Sequence, residues 1–194
     1  MKNPAEICFI FFDMSEAILQ LYAIINNNST TPEDRNAATG QLLQIFKTAE
    51  AFPALFQIIH ENVNIDKAQR QQAALAIRIC LRNSWEELDQ QNKGVIQQQI
   101  LQLLSNETVF LIAKNVIESC ELIFERDGRN WPELFQYIQS ETPNELQLLI
   151  KMYLVTNIMK PLDDENHIAQ QYFPLFDSLF AAARQTQNPE IIAA

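Results

Sequence analysis

The chain has 194 residues, 47% of them hydrophobic, which is enough for a packed core and argues against wholesale disorder. Only 3 glycines occur, so turn-rich sandwiches and barrels are disfavoured; Gly40, Gly94 and Gly128 stand too far apart for GxGxxG or GxxxxGK(S/T) nucleotide loops. With 14 basic and 24 acidic residues the net charge is −10, which disfavours direct nucleic-acid binding and favours basic protein partners.

The first twelve residues read as a leader. Its run Ile7–Phe12 (ICFIFF) is six residues long, too short for a signal-peptide core or a membrane span, and is expected to pack as a strap. Residues 13–194 read as one domain with apolar spacing near 3.6 almost throughout. Ile18, Leu21, Tyr22 and Ile25 share one face of a first helix beginning near Ser15, which ends in an Asn/Ser/Thr-rich loop. Pro32 opens a second helix carrying Ala38, Leu42, Ile45 and Phe46. A third runs through Phe52, Leu55, Phe56 and Ile59, a fourth through Ala73, Ile77, Cys80 and Leu81, and a fifth through Ile96, Ile100, Leu103 and Leu104. The sixth carries Val109, Ala113, Val116, Cys120 and Ile123, with Asn106 as its expected N-cap. Asp127-Gly128 breaks the chain, and helices over 131–138, 146–155 and 167–183 complete nine.

The helices repeat. Phe52-Pro53-Ala54-Leu55-Phe56, Trp131-Pro132-Glu133-Leu134-Phe135 and the shorter Phe173-Pro174-Leu175-Phe176 begin alike. Trp131 and Phe173 are 42 residues apart, Phe52 and Trp131 are 79, and Ala73 and Ala113 are 40. A unit near 40 residues belongs to HEAT-type helical pairs, at about 40–47 residues, rather than to the ~34-residue TPR period. The expected fold is all-α, an α-solenoid of about four helical pairs plus a further helix, each pair burying its apolar stripe on its neighbours. The aromatic-Pro boxes are architectural on this reading, Pro suiting a first turn and the aromatics stapling helices together.

Three of these stretches together resemble the N-terminal region of the importin-β (karyopherin-β) family of nuclear transport receptors. Arg35-Asn36-Ala37-Ala38 with Gln41-Leu42 is similar to the family's first repeat. Arg70-Gln71-Gln72-Ala73-Ala74, leading to Leu81-Arg82-Asn83-Ser84-Trp85, resembles its second, and Asn130-Trp131-Pro132-Glu133-Leu134 resembles the start of its fourth. The resemblance covers about residues 15–160. The leader matches nothing in the family, whose members are several times longer, so the resemblance implies a fragment or a much-reduced relative.

The second helix of each pair is expected to line the concave surface. At 100° per residue, Lys67, Gln71, Arg78 and Arg82 fall in one arc of the fourth helix, opposite Ala73, Ile77, Cys80 and Leu81. On the sixth, Glu107, Lys114, Glu118, Glu121 and Glu125 share an arc opposite Val109, Ala113, Val116 and Cys120. Solvated charge alone explains such stripes. The resemblance implies more: Ran-GTP held by the N-terminal repeats, protein cargo with basic signals on overlapping surface, and Phe-Gly nucleoporin segments in shallow apolar grooves. The candidate contacts are then Lys67, Gln71, Arg78, Arg82, Asn83, Lys114, Glu118 and Glu121, with Arg82 and Asn83 aligned to the family's basic-Asn pair. Mutually exclusive binding of Ran-GTP and cargo would be the mechanism, in a protein shuttling between cytoplasm and nucleus. Import and export remain equally open, and a general HEAT scaffold shares the same surface logic.

Nothing in the chain demands a cofactor, metal, membrane or nucleic acid. His60 and His167 lie in different units without an HExxH context. Cys80 and Cys120 occupy apolar arcs, and Cys8, Cys80 and Cys120 lack a CxxC spacing, which fits a reducing compartment. Asp163-Asp164-Glu165 reads as a solvated acidic turn, so no enzyme is expected. The last helix presents Tyr172, Phe173, Phe176, Leu179 and Phe180, with Ile191 and Ile192 beyond it, which predicts self-association through an open C-terminal end.

Overall fold

Four of the helices start on a short polar side chain that accepts from a backbone N–H three residues on, which is what an N-cap does. In the computed structural model, Thr31 accepts from Asp34 N, Asp66 from Gln69 N, Asp89 from Asn92 N and Asn144 from Gln147 N, at 2.7–3.2 Å. The structure describes residues 4–61, 64–159, 176–186 and 188, with side chains from residue 14 onward, Ser178 apart. Among these residues there are nine α-helices and no strand. They are α1 (Pro4–Asn26), α2 (Pro32–Ile45), α3 (Ala51–His60), α4 (Lys67–Ser84), α5 (Gln90–Asn106), α6 (Phe110–Arg126), α7 (Pro132–Gln139), α8 (Glu145–Met159) and α9 (Asp177–Gln185). A 3-10 turn, Trp85–Glu87, follows α4. The fold is all-α, with helices packed against one another, as the periodicity predicts.

The chain divides into two compact units, residues 1–97 and 98–194, with the boundary inside α5. In the first unit α1 packs on α2 and α3, and α3 on α4. Ala73, Ala74 and Ala76 on α4 are buried beside Ile77, Cys80 and Leu81, and small alanines let a neighbouring helix come close. From α3 the first aromatic-Pro box supplies Phe52, Leu55 and Phe56, each at most 5% exposed, with the two rings stacked at 6.2 Å. In the second unit α6 packs on α8, and α9 on α7 and α8. The WPEL box is equally internal: Trp131 is 1% exposed, Leu134 is buried, and the Phe135 ring lies 5.8 Å from Phe124 and 6.3 Å from Phe176. Both boxes are therefore core, as the architectural reading holds.

Several local expectations change. The first helix starts at Pro4 rather than near Ser15. Asn106 ends α5 instead of capping α6. Val109 stands at the N-cap of α6 without a side-chain hydrogen bond, and Glu107 Oε1 accepts from the N–H groups of Thr108 and Val109 at 2.8 and 2.9 Å in the link between α5 and α6. The break after α6 is as read. Gly128 (φ +66°) and Arg129 (φ +64°) are both left-handed, and Arg129 N donates to Phe124 O at 2.8 Å, the six-to-one bond of a Schellman ending. At the C-terminal end, Phe176 and Leu179 are 0% and 4% exposed. Two of the residues expected to drive self-association are thus already covered within the chain. His167, the acidic turn 163–165, Tyr172, Phe173, Ile191 and Ile192 lie outside the described residues.

Candidate partner-binding surface

The fourth helix is capped by Asp66, lacks Gly and Pro, and runs 18 residues. Its inward face is the alanine-rich core just described. Its outward arc holds Lys67, Gln71, Leu75, Arg78 and Arg82. Lys67 and Arg82 are exposed, and Gln71 and Arg78 are half-buried. Leu75, which the charge pattern alone does not single out, is 42% exposed in the middle of this stripe. The helix carries Lys67, Arg70, Arg78 and Arg82 and no acidic residue, in a chain where acids outnumber bases 24 to 14.

Not every polar residue of the helix belongs to that surface. Arg70 is 5% exposed, and its Nε donates to Ile59 O at 2.8 Å, closing the C-terminal end of α3. Asn83 lies at the end of the stripe, but its Nδ2 donates to Phe46 O at 3.1 Å, the residue that ends α2. The carboxamide thus ties α4 to the end of α2. Arg78 also makes an interaction within the chain.

The corresponding surface of the second unit lies on α6. Lys114 is half-buried, its Nζ 5.3 Å from the centre of the Tyr153 ring, a cation–π distance. Glu118 and Glu121 are half-buried and both engaged within the chain, while Glu125 is exposed and Leu111 is 50% exposed. Glu107 leaves the stripe, being 6% exposed and spent on backbone N–H groups between α5 and α6. The structure thus assembles Lys67, Gln71, Arg78, Arg82 and Asn83 on α4 and Lys114, Glu118 and Glu121 on α6, in separate units.

Two buried polar residues of α8 organise the second unit and escape the charge-stripe reading. Lys151 is 1% exposed; its Nζ donates to Ser140 O, Ser140 Oγ and Glu141 O at 2.6–3.0 Å and sits 5.3 Å from the Tyr137 ring. Burial lowers its pKa from the ordinary lysine value. Gln147, 5% exposed, donates Nε2 to Leu104 O and Ser105 O at 3.0 and 3.2 Å and accepts from the Tyr137 hydroxyl at 3.2 Å.

An open groove of about 350 Å³ lies between α1 and α2, lined by Leu21, Ile24, Ala37 and Ala38 with Asp34 and Gln41. The thiols have a different character. Cys80 and Cys120 are fully buried; burial pushes the Cys80 pKa up to about 12 and raises that of Cys120. Neither supplies a thiolate near neutral pH. Among the described residues no group of three or more His, Cys, Asp or Glu could hold a metal ion, and no helix is long and apolar enough to cross a membrane.

Comparison with known proteins gives a match to Importin-4 of Mus musculus, 30% identical over 106 residues. The matched stretch is 54% of this chain and 10% of that protein, so the chain spans about a tenth of the length of this relative. No family model matches the sequence. No solved structure matches it. The chain is, over about half its length, similar to an importin.

Proposed function

We propose that this chain is a protein-binding array of HEAT-type helical pairs that works as the N-terminal part of a nuclear transport receptor. The observation that carries the reading is the 30% identity with Importin-4 over 106 residues. On this reading the outward face of α4 contacts Ran-GTP, with Arg82 the leading contact and Lys67, Gln71 and Arg78 beside it; Lys114, Glu118 and Glu121 on α6 are the candidate contacts of the second unit. Asn83 supports the surface through its bond to Phe46. Basic protein cargo competes for overlapping surface, and release follows from Ran-GTP and cargo excluding each other. Such coupling needs only a difference in affinity between the two bound states. The apolar α1–α2 groove is the place for a Phe-Gly segment of a nucleoporin. The protein acts by binding alone, without chemistry, and shuttles between cytoplasm and nucleus.

The test is titration of the whole chain with Ran carrying a non-hydrolysable GTP analogue and, separately, GDP. A clear preference for the GTP state, lost in Arg82→Glu, is expected. Equal or absent binding would overturn the transport reading. The second reading is a general HEAT scaffold outside transport: the match to Importin-4 covers 54% of this chain.

A further inference from the structure

The outer stripe of α4 has a sign opposite to the chain that carries it. The protein is −10 overall, yet this stripe has three cations, Lys67, Arg78 and Arg82, and the helix has no carboxylate. A chain of this net charge attracts basic partners in general, so the α4 stripe selects against the general rule. Its layout is also specific. At 1.5 Å of rise per residue, Lys67 to Arg82 spans about 22 Å. Leu75 stands near the middle, about 12 Å from the level of Lys67 and about 10 Å from that of Arg82. Leu75 is 42% exposed and Lys67 and Arg82 are both exposed, so an apolar anchor point lies between two cationic ends.

We infer that the α4 stripe receives an acidic segment of another protein in which one large apolar side chain is flanked by carboxylates three to four residues away on either side. The spacing follows from geometry: an extended segment advances about 3.3 Å per residue, so three to four residues cover the distance from Leu75 to each cationic end. Arginine at one end provides a planar fork for a carboxylate, and lysine at the other a point charge. The inference rests on the reading of this face as a partner surface and names the chemistry of the partner. Nucleic acid fits less well, because a central leucine offers a polyphosphate nothing and its evenly spaced phosphates do not match two cationic ends about 22 Å apart. A second copy of the chain also fits less well, since Glu118 and Glu121 of the acidic α6 stripe are half-buried and already engaged.

The experiment uses the full chain and a fluorescein-labelled peptide, Ser-Asp-Glu-Ser-Ser-Leu-Ser-Ser-Glu-Asp-Ser, read by anisotropy. Saturable binding is expected, weakened at least tenfold in Lys67→Glu/Arg82→Glu, at least threefold in Leu75→Gln, and at least fivefold by raising salt to ~0.5 M. A peptide with its leucine replaced by serine, or with its acids moved beside the leucine, should also bind at least threefold more weakly. Helix content by circular dichroism confirms that each variant is folded, and Leu75→Gln leaves every charge in place. Three results each overturn the inference: no binding at 1 mM peptide, affinity unchanged in the double charge reversal, or a twelve-nucleotide single strand binding as tightly as the peptide. Sedimentation showing a dimer that Arg82→Glu dissolves would also overturn it, by assigning the stripe to a second copy. Ran-GTP is titrated on the same samples. A chain that takes the peptide but not Ran-GTP refutes the transport reading alone; one that takes Ran-GTP but not the peptide refutes this inference alone.

Discussion

Replacing Gln147 with methionine should unfasten the second unit without changing its charge. The carboxamide is 5% exposed and makes three bonds: two to carbonyls at the end of α5 and one from the Tyr137 hydroxyl. Methionine fills nearly the same space and makes none of them. Ser105 is exposed, so its carbonyl regains water and costs little. Leu104 O and Tyr137 Oη sit in buried surroundings, and a stranded polar group there costs ~1–3 kcal/mol each. Burying a more apolar side chain returns ~1 kcal/mol, leaving a net destabilisation of about 1–5 kcal/mol. The assay is urea unfolding at pH 7 in a Trp85→Phe background, where Trp131 is the remaining tryptophan of the two and reports on its own unit. Tyr137→Phe closes a double-mutant cycle. Removing the hydroxyl that Gln147→Met strands should recover ~1 kcal/mol of coupling. A loss below ~0.5 kcal/mol, or a cycle that is additive, would refute the claim that this amide ties α5, α7 and α8 together.

Alkaline stability should differ between the units. Tyr22 and Cys80 in the first, and Tyr137 and Cys120 in the second, all have pKa values raised by burial, so the folded state keeps protons that the unfolded chain sheds above pH 9. Their contribution is complete below pH 9 and is lost as pH rises, at ~1.4 kcal/mol per pH unit for each group titrating. Lys151 has a lowered pKa and works the other way until the lysine value of 10.5 is reached, so the first unit should soften sooner. Denaturation at pH 8, 9.5 and 10.5 with Trp85 or Trp131 as sole reporter checks this; a pH-independent midpoint contradicts it. Asn83→Ala should lower the stability of the first unit by ~1 kcal/mol through loss of the bond to Phe46, and an unmoved urea midpoint would show that bond to be idle. Gly128→Ala should cost ~1–2 kcal/mol from backbone strain alone, because an added Cβ meets nothing within 4 Å while φ stays at +66°. A destabilisation absent in Gly128→Ala would mean the turn relaxes to negative φ.

The helices were legible wherever polar residues punctuate the apolar ones. Lys67 to Ser84 alternates sharply enough to set its arcs, and Pro32 and Asp127-Gly128 mark a start and a stop. The run ICFIFF has no polar residue, so it cannot display a 3.6 period, and the helix start that Pro4 marks ahead of it is easily passed over. Cap preferences favour Asn106 over Val109; which residue falls at the start of α6 depends on where α5 ends, which local sequence does not decide. Lys151 did carry a signal. It stands in Leu148-Leu149-Ile150-Lys151-Met152-Tyr153-Leu154, apolar on every side, and a helix apolar all round is buried, lysine included. Of the candidate site, the charge on α4 was visible, and so was the place of Leu75, which at 100° per residue falls in the arc of Lys67, Gln71, Arg78 and Arg82 opposite Ile77 and Cys80; a search for charge alone passes over it.

The buried polar contacts explain why the resemblance marks the frame better than it marks the partner face. Arg70 reaches Ile59 O and Lys151 reaches Ser140 O, each from the second helix of a pair to the end of the first, and each across eleven residues of chain. The two cations are 81 residues apart, close to the 79 that separate Phe52 from Trp131, so they hold equivalent places two repeats apart. Carbonyls at a helix C-terminus lack partners and carry the negative end of the helix dipole, which a cation satisfies twice over. Arg35 does related work in the first pair, donating to Thr30 O at 2.9 Å. The arginines of the Arg-x-x-Ala stretches are therefore joints between paired helices, and altering them should change stability before it changes recognition. Lys67, Leu75 and Arg82 touch no such joint, so selection can exchange them for a new partner without disturbing the helices beneath.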